Sequence, residues 1–308
     1  MDGIILVHKP PGITSHDVVE KIRKILNEKK VGHYGTLDPM ATGLIVIALG
    51  KATRLFQFFS KENKAYKGQI KLGFSTNTYD SSGTKTSVEI NNFPSNYKIL
   101  EEMRKFEGEI LQVPPVFSAK KFRGKPLYAL ARENKEVKLV PSKISIYFFY
   151  LKNYNPPIID FEVKCSSGTY IRSLAHDLGQ SLGCGAHISQ LVRISSGNFN
   201  SKDSFQLEKI EELTLEGKTE EFILPLKTLL PEIPKVIVND TGLYLVKNGN
   251  MIFPENILKV SSPNLSSVES KKEKKNIYKI FSSDGSLLAF AKRINENNCF
   301  HPFFVIDS

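Results

Sequence analysis

Residues 159–178, IDFEVKCSSGTYIRSLAHDL, change their period halfway along. Ile159, Phe161, Val163 and Cys165 alternate with Asp160, Glu162 and Lys164, the two-residue repeat of a strand with one buried face. Beyond the turn-forming Ser166-Ser167-Gly168, Ile171, Leu174, Ala175 and Leu178 recur at the spacing of an amphipathic helix. The same mixture continues on both sides without the regular βαβ rhythm of a doubly wound sheet. The expected fold class is therefore α+β with a largely antiparallel sheet.

Toward the N-terminus, Ile70, Leu72 and Phe74 alternate with Gln69, Lys71 and Gly73 as in a half-buried strand. Leu44–Leu49 is an unbroken apolar run ended by Gly50, too short for its period to separate a buried strand from a buried helix. Ile4–Val7 is a shorter run that meets a Pro-Pro-Gly break. Thr14, Ser15 and Asp17 then supply cap chemistry for a helix with Val18, Val19, Ile22, Ile25 and Leu26 on one face. Ser95 caps a further helix carrying Ile99, Leu100, Met103 and Phe106, with Gly108 at the position of a C-terminal glycine. Ile144–Leu151 is aromatic and β-prone.

Toward the C-terminus the pattern changes after Pro225, Pro231 and Pro234, where short strand-like runs are separated by Gly, Asn and Asp. This sets a boundary near residue 230, with one domain over 1–230 and a second, a small β-barrel, over 231–308. Five serines between 261 and 270, followed by KKEKK at 271–275, read as a solvated loop.

The 308 residues suffice for a large domain and a small one with a core that needs no disulfide or metal. A net charge of +10 and a pI near 9.3 suit a polyanionic partner, and equally a merely basic soluble protein. Cys165, Cys184 and Cys299 form no CxxC pair, which points away from a disulfide framework and a zinc site and toward a reducing cytosol. The opening apolar run is too short for a signal peptide, and no segment approaches the ~20 apolar residues of a membrane span. A soluble, cytoplasmic chain is expected.

The chemistry centres on Gly32–Gly43, GHYGTLDPMATG, which lacks either period and reads as an ordered loop around one acidic residue, Asp38. Asp38-Pro39 is common turn chemistry, and Asp38 is also the candidate catalytic group. Arg172 follows the 159–165 strand and opens the next helix, where an arginine can hold a carboxylate by two hydrogen bonds or form an ordinary ion pair. His33 stands as a base, a metal ligand or a loop residue, metal being disfavoured without a second histidine at helical spacing. In VPPVFSAKKFRGKPLYALAR, residues 113–132, the cations Lys120, Lys121, Arg123, Lys125 and Arg132 alternate with aromatic residues. That composition suits RNA phosphates and bases, and equally a basic surface loop leading into a helix through Leu127 and Leu130. GxSxG, Walker and dinucleotide glycine patterns are absent, and no cysteine is marked as an activated thiol.

In these segments the chain resembles the TruB family of tRNA pseudouridine synthases. The resemblance rests on HKPPGITS at 8–15, GHYGTLDPMATG, AYKG at 65–68, the basic segment, CSSGTYIRSLAHDLGQSLGCGAH at 165–187 and LVRISSGNF at 191–199. Together these cover about the first two hundred residues. Tyr34 departs from the threonine that many bacterial members carry. The resemblance implies a pseudouridine synthase fold, a mixed and largely antiparallel sheet flanked by helices, with a PUA-like C-terminal domain. It implies conversion of uridine 55 of the tRNA T arm to pseudouridine after base flipping, with Asp38 as nucleophile at C1′ or C6 and Arg172 as its partner. Tyr66 stacks on the base and has a suggested part in removing the C5 proton. His33, Tyr170, Leu191 and Lys9 join it in substrate binding. No cofactor or metal is implied, the partner is tRNA, and no obligate protein partner is expected of what is read as a monomer. A guide-RNA-dependent synthase subunit and a non-catalytic tRNA-binding chaperone are the alternatives.

Overall fold

The computed structural model describes residues 1–118, 121–122, 124–127, 139–261, 276–294 and 298–306. Strands β1 (Gly3–Lys9), β2 (Val31–His33), β3 (Thr42–Leu49), β4 (Lys64–Leu72) and β5 (Gly108–Gln112) come first in the chain. A small hairpin of β6 (Lys121–Phe122) and β7 (Lys125–Pro126) follows, then β8 (Ser142–Asn155), β9 (Ile158–Cys165), β10 (Ala186–Ser196), β11 (Phe199–Asn200) and β12 (Ile223–Pro225). Ten of these build one sheet along the path β12-β1-β3-β10-β4-β9-β8-β5, with β2 on β3 and β11 on β10. Its neighbours are antiparallel except β3 and β10, which pair in parallel at Val192–Thr42 and Arg193–Gly43.

The run Leu44–Leu49 resolves as a strand buried on both faces. Ile45, Ile47 and Leu49 join Ile5 and Val7 in a core on one side; Leu44, Val46 and Ala48 join Ile4 and Leu6 in a core on the other. With two apolar environments to fill, the strand has no polar face, and no alternation can appear. Each of the leucines, isoleucines and valines among them, removed from water, contributes about 1.5–3 kcal/mol, which fixes β1 and β3 between the two cores.

Helices cover the first face. Ser15–Leu26 starts at a capping box in which Thr14 and Asp17 satisfy each other's backbone N–H, and it buries Val18, Val19, Ile22 and Leu26. Asn96–Arg104, capped by Ser95, buries Ile99 and Met103. The expectation for its end is corrected: the helix stops at Arg104, and Gly108 opens β5 at φ +97° with Leu100 exposed. Ile171–Ser181 follows β9 directly and packs Ile171, Leu174, Ala175 and Leu178 into the same core.

The second face of β1 and β3 is covered by a second sheet. Its strands β13 (Lys235–Val238), β14 (Ile257–Ser261), β15 (Ile277–Phe281), β16 (Leu287–Arg293) and β17 (Phe300–Val305) run in the order β14-β13-β15-β16-β17. Phe281, Phe290 and Phe304 reach the core shared with Ile4, Leu6, Leu44 and Val46. Lys279 is buried at this junction and donates from Nζ to the carbonyl of Leu229 at 2.7 Å; burial pulls its ammonium down to about 8. Of the Ser- and Lys-rich segment, residues 262–275 lie outside the described residues.

Candidate active site

The loop between β2 and β3 is held from three directions, and each hold acts on backbone. From below, Ser15 clasps Leu37: its Oγ accepts from Leu37 N at 2.8 Å and donates to Leu37 O at 3.1 Å. From the β1 end, Lys9 Nζ donates to the carbonyls of Pro10 at 2.8 Å and Pro39 at 3.0 Å, and Gly12 N donates to Pro39 O at 2.9 Å. From β10, Arg193 donates through Nε to Leu44 O at 2.7 Å, through Nη2 to Gly35 O at 3.1 Å and through Nη1 to Thr36 O at 3.3 Å. Gly43 allows β3 to come this close. It has φ +93°, and a Cβ there would lie 2.5 Å from Arg193 O. Between the anchors Asp38 makes a tight turn, its carbonyl accepting from Ala41 N at 3.1 Å.

Asp38 meets Arg172 in a two-point pair. Nε donates to Oδ2 at 2.8 Å and Nη2 to Oδ1 at 2.9 Å, the planar fork matched to a carboxylate. The rest of the guanidinium is also engaged: Nη1 donates to Thr78 O at 2.8 Å, Nη2 to Phe117 O at 3.0 Å, and Asp80 Oδ2 lies 3.4 Å from Nη1. Asp80 is itself pinned by Thr78 Oγ1 at 2.7 Å and by Ser82 N at 3.0 Å. The side chains of Arg172 and Asp80 are each 5% exposed, that of Asp38 32%. A buried cation is thus fixed by neighbours that leave one partner, Asp38, open to a ligand. The helix start is fixed too, because Gln112 both donates to Tyr170 O at 3.0 Å and accepts from Tyr170 N at 2.8 Å.

Two cavities meet at Asp38. One, of about 520 Å³, is walled by Tyr66, Tyr170, Leu191, Ser118 and Arg193. The other, of about 500 Å³, is walled by His33, Thr78, Asp80, Phe117 and Arg172. Burial pushes the Tyr66 phenol up to about 12; the Arg193 guanidinium works against this and the Asp38 carboxylate adds to it. Burial also raises Tyr170, which the neighbouring Ser118 hydroxyl partly offsets. Burial, then Arg193, lowers His33, and its Nδ1 is buried and unbonded among the described residues. Lys9 is drawn down to about 8 by burial, against the pull of Asp38.

The structure brings Asp38, Tyr66, Tyr170 and Leu191 to one cleft, with His33 and Arg172 on the adjoining one, which Asp38 also lines. Lys9 lines neither. It is fully buried behind the loop and supports Pro39. Tyr34, the departure from the family pattern, is 2% exposed, stacks on Phe59 at 4.8 Å and donates its hydroxyl to Ala52 O. Of the basic segment, Lys120, Arg123 and Arg132 lie outside the described residues; Lys121 and Lys125 sit in the β6–β7 hairpin. Sequence reasoning missed Asp80, Gln112, Ser118 and Arg193. Arg193 had a usable signal: two residues after Leu191 on a strand, it shares that residue's general side of the sheet.

Residues 23–171 match the model of the TruB family pseudouridylate synthase N-terminal domain, and 172–231 that of the tRNA pseudouridylate synthase B C-terminal domain. The tRNA pseudouridine synthase B of Solibacter usitatus is 40% identical over 99% of this chain and 100% of its own length. That of Dehalococcoides mccartyi is 44% identical over 81% of this chain and 83% of its own. Among solved structures, an H/ACA ribonucleoprotein bound to a substrate RNA containing 2′-deoxyuridine holds a chain 27% identical, with TM-score 0.70, covering 99% of this chain and 84% of that one.

Proposed function

The chain belongs to the TruB family of pseudouridylate synthases, and on that premise we propose that it isomerises uridine 55 of the tRNA T arm to pseudouridine, with Asp38 as nucleophile. The observation that carries the reading is the two-point Arg172–Asp38 pair at the base of a cleft walled by Tyr66, Tyr170 and Leu191. A carboxylate held by an arginine and opening on a cavity is the group such an isomerisation needs, since attack at C1′ or at C6 both begin from the anion.

The base enters the cleft only after leaving its stack, so stacking surface must compensate for the stacking lost in the T loop. Tyr66 and Tyr170 supply aromatic faces, and Leu191 an apolar wall. His33, with a ring nitrogen unbonded among the described residues, lines the adjoining cavity, where it meets the RNA around the extruded nucleotide. The cations of 120–132 contact phosphates, and the second sheet extends the RNA-binding surface as a domain of its own over 231–308. Because the base detaches, turns and re-bonds, the reaction draws on neither metal nor cofactor.

Incubating the purified protein alone with an unmodified T-arm hairpin, then mapping pseudouridine, tests the reading. Conversion at position 55 without any guide RNA is expected, and Asp38→Asn should bind the hairpin without converting it. Turnover by that variant, or a requirement for a guide RNA, would remove the proposal.

A further inference from the structure

Among the described residues Arg193 is the largest fully buried side chain, and it donates to the backbone carbonyls of Gly35 and Thr36 in the loop that carries Asp38 and of Leu44 at the start of β3. Among the described residues it forms no ion pair. A guanidinium in the interior without a carboxylate is costly, and such groups persist where their charge is used. On β10 Arg193 stands directly across from Tyr66 on β4, the two being register partners, and both line the same cleft.

We infer that Arg193 is the positioning residue that makes Tyr66 the proton acceptor for C5 of the base, an inference that rests on the reading above. Its guanidinium is fixed by Gly35, Thr36 and Leu44 and cannot swing away to the solvent. In the free protein burial, joined by the Asp38 carboxylate, outweighs it and holds the phenol up at about 12. When Asp38 bonds to C1′, the N1–C1′ pair leaves on the uracil, and when it bonds to C6, the C5–C6 π pair moves into the ring, so on either route the negative charge passes from the carboxylate to the base. Arg193 then faces the phenol with one opposing charge fewer, while Arg172 keeps Asp80 Oδ2 at 3.4 Å. The phenol releases its proton through the cleft to solvent. C5 then bonds to C1′ as the Asp38–C1′ bond breaks or, after attack at C6, as the N1–C1′ bond breaks; the phenolate takes the C5 proton, the C–H electron pair returns to the ring and on the second route expels Asp38 from C6, and N1 of the product takes a proton from solvent. Protons balance, and no base is present before the covalent stage that calls for one.

The test uses the full chain, a T-arm hairpin carrying uridine or [5-²H]uridine at the target, and wild type, Tyr66→Phe, Arg193→Met and Arg193→Lys. In Arg193→Met, kcat at neutral pH should fall about 100-fold, the low end of what a general base contributes, and recover with rising pH up to about 9. The deuterium isotope effect should exceed that of wild type. Arg193→Lys keeps a charge without the three-way anchoring, and should move in the same direction by less. A rate loss equal at every pH, with the isotope effect unchanged, would make Arg193 only a clamp on the loop and overturn the inference. Should Arg193→Met fail to fold, Arg193→Lys decides by the same two readouts. A wild-type isotope effect in Tyr66→Phe would overturn it too, whereas a wild type that makes no pseudouridine defeats the function itself.

Discussion

Replacing Arg172 by lysine keeps the charge and removes the fork, so it separates the two things the arginine supplies. In the structure Arg172 donates four hydrogen bonds of 3.0 Å or less, two to Asp38 and one each to Thr78 O and Phe117 O. An ammonium is a compact point charge with tetrahedral donors, and it cannot meet both carboxylate oxygens and both carbonyls from one position. Two carbonyl bonds lost at ~0.5–1.5 kcal/mol each put the cost in stability at about 1–3 kcal/mol. The cost in rate is larger, because one fixed contact leaves the Asp38 carboxylate free to turn, and misplacement of a reacting group by about 1 Å is worth ~100-fold. A 100-fold loss corresponds to about 2.7 kcal/mol in the barrier. Single-turnover conversion of a T-arm hairpin measures the rate, a filter-binding titration the affinity, and a thermal melt the stability. The expected outcome is a rate reduced at least 100-fold, affinity within about threefold of wild type, and a modestly lower Tm. A rate within threefold of wild type would refute the reasoning, because it would mean that charge alone, without two-point geometry, aims the nucleophile.

Asp177, whose carboxyl is pushed up to about 6 by burial, is harder to ionise in the folded chain than in the unfolded one. Its raised value favours the fold below about pH 4, and that contribution is lost as pH rises through about 6. Asp177→Asn should therefore stabilise the protein at pH 8, by about 1 kcal/mol once its partial exposure is allowed for, and less at pH 5; equal melting shifts at both pH values would contradict this. Gly43→Ala places a Cβ 2.5 Å from Arg193 O at a φ of +93°, so a loss of about 1–3 kcal/mol is expected in denaturant melts, together with reduced activity. Wild-type stability would show that β3 and β10 can separate without consequence. Affinity for the hairpin should fall steeply between 50 and about 200 mM salt if several lysines and arginines meet phosphates, and a flat titration would exclude that role for the 120–132 segment.

The strand-to-helix change at 159–178 was legible because both elements have one wet face. Polar Asp160, Glu162 and Lys164 mark the strand by alternation, and they are exposed or half-buried as that pattern requires. Leu44–Leu49 carries no such mark. Its second neighbour is the other sheet, whose Phe290 and Phe304 arrive from more than two hundred residues along the chain, so nothing local could identify it. Asp38, Arg172, Tyr66, Tyr170 and Leu191 were legible for a different reason: side-chain chemistry confined to recognisable segments. Asp80 was hidden in Thr76–Thr84, where Ser, Thr, Asn and Gly leave no period to read and polar residues look like ordinary loop composition.

What escaped the sequence most completely is the part of the site made of carbonyls. Thr78, Phe117, Gly35, Thr36, Leu44 and Pro39 contribute oxygen atoms that any residue possesses, and their identities say nothing of where those atoms point. Yet these oxygens set the roles of three buried cations. Arg172 is held by two carbonyls and still has its fork for Asp38; Lys9 gives its described hydrogen bonds to the carbonyls of Pro10 and Pro39 and becomes a strut behind the loop; Arg193 gives its own to three carbonyls and keeps an uncompensated charge beside Tyr66. The same positive charge therefore holds a nucleophile, supports a turn or acts on a phenol according to how the backbone has used its donors. That partition follows from the register of β10 against β3 and β4, a tertiary property, and a shift of one residue in either pairing would turn Arg193 to the opposite face of the sheet.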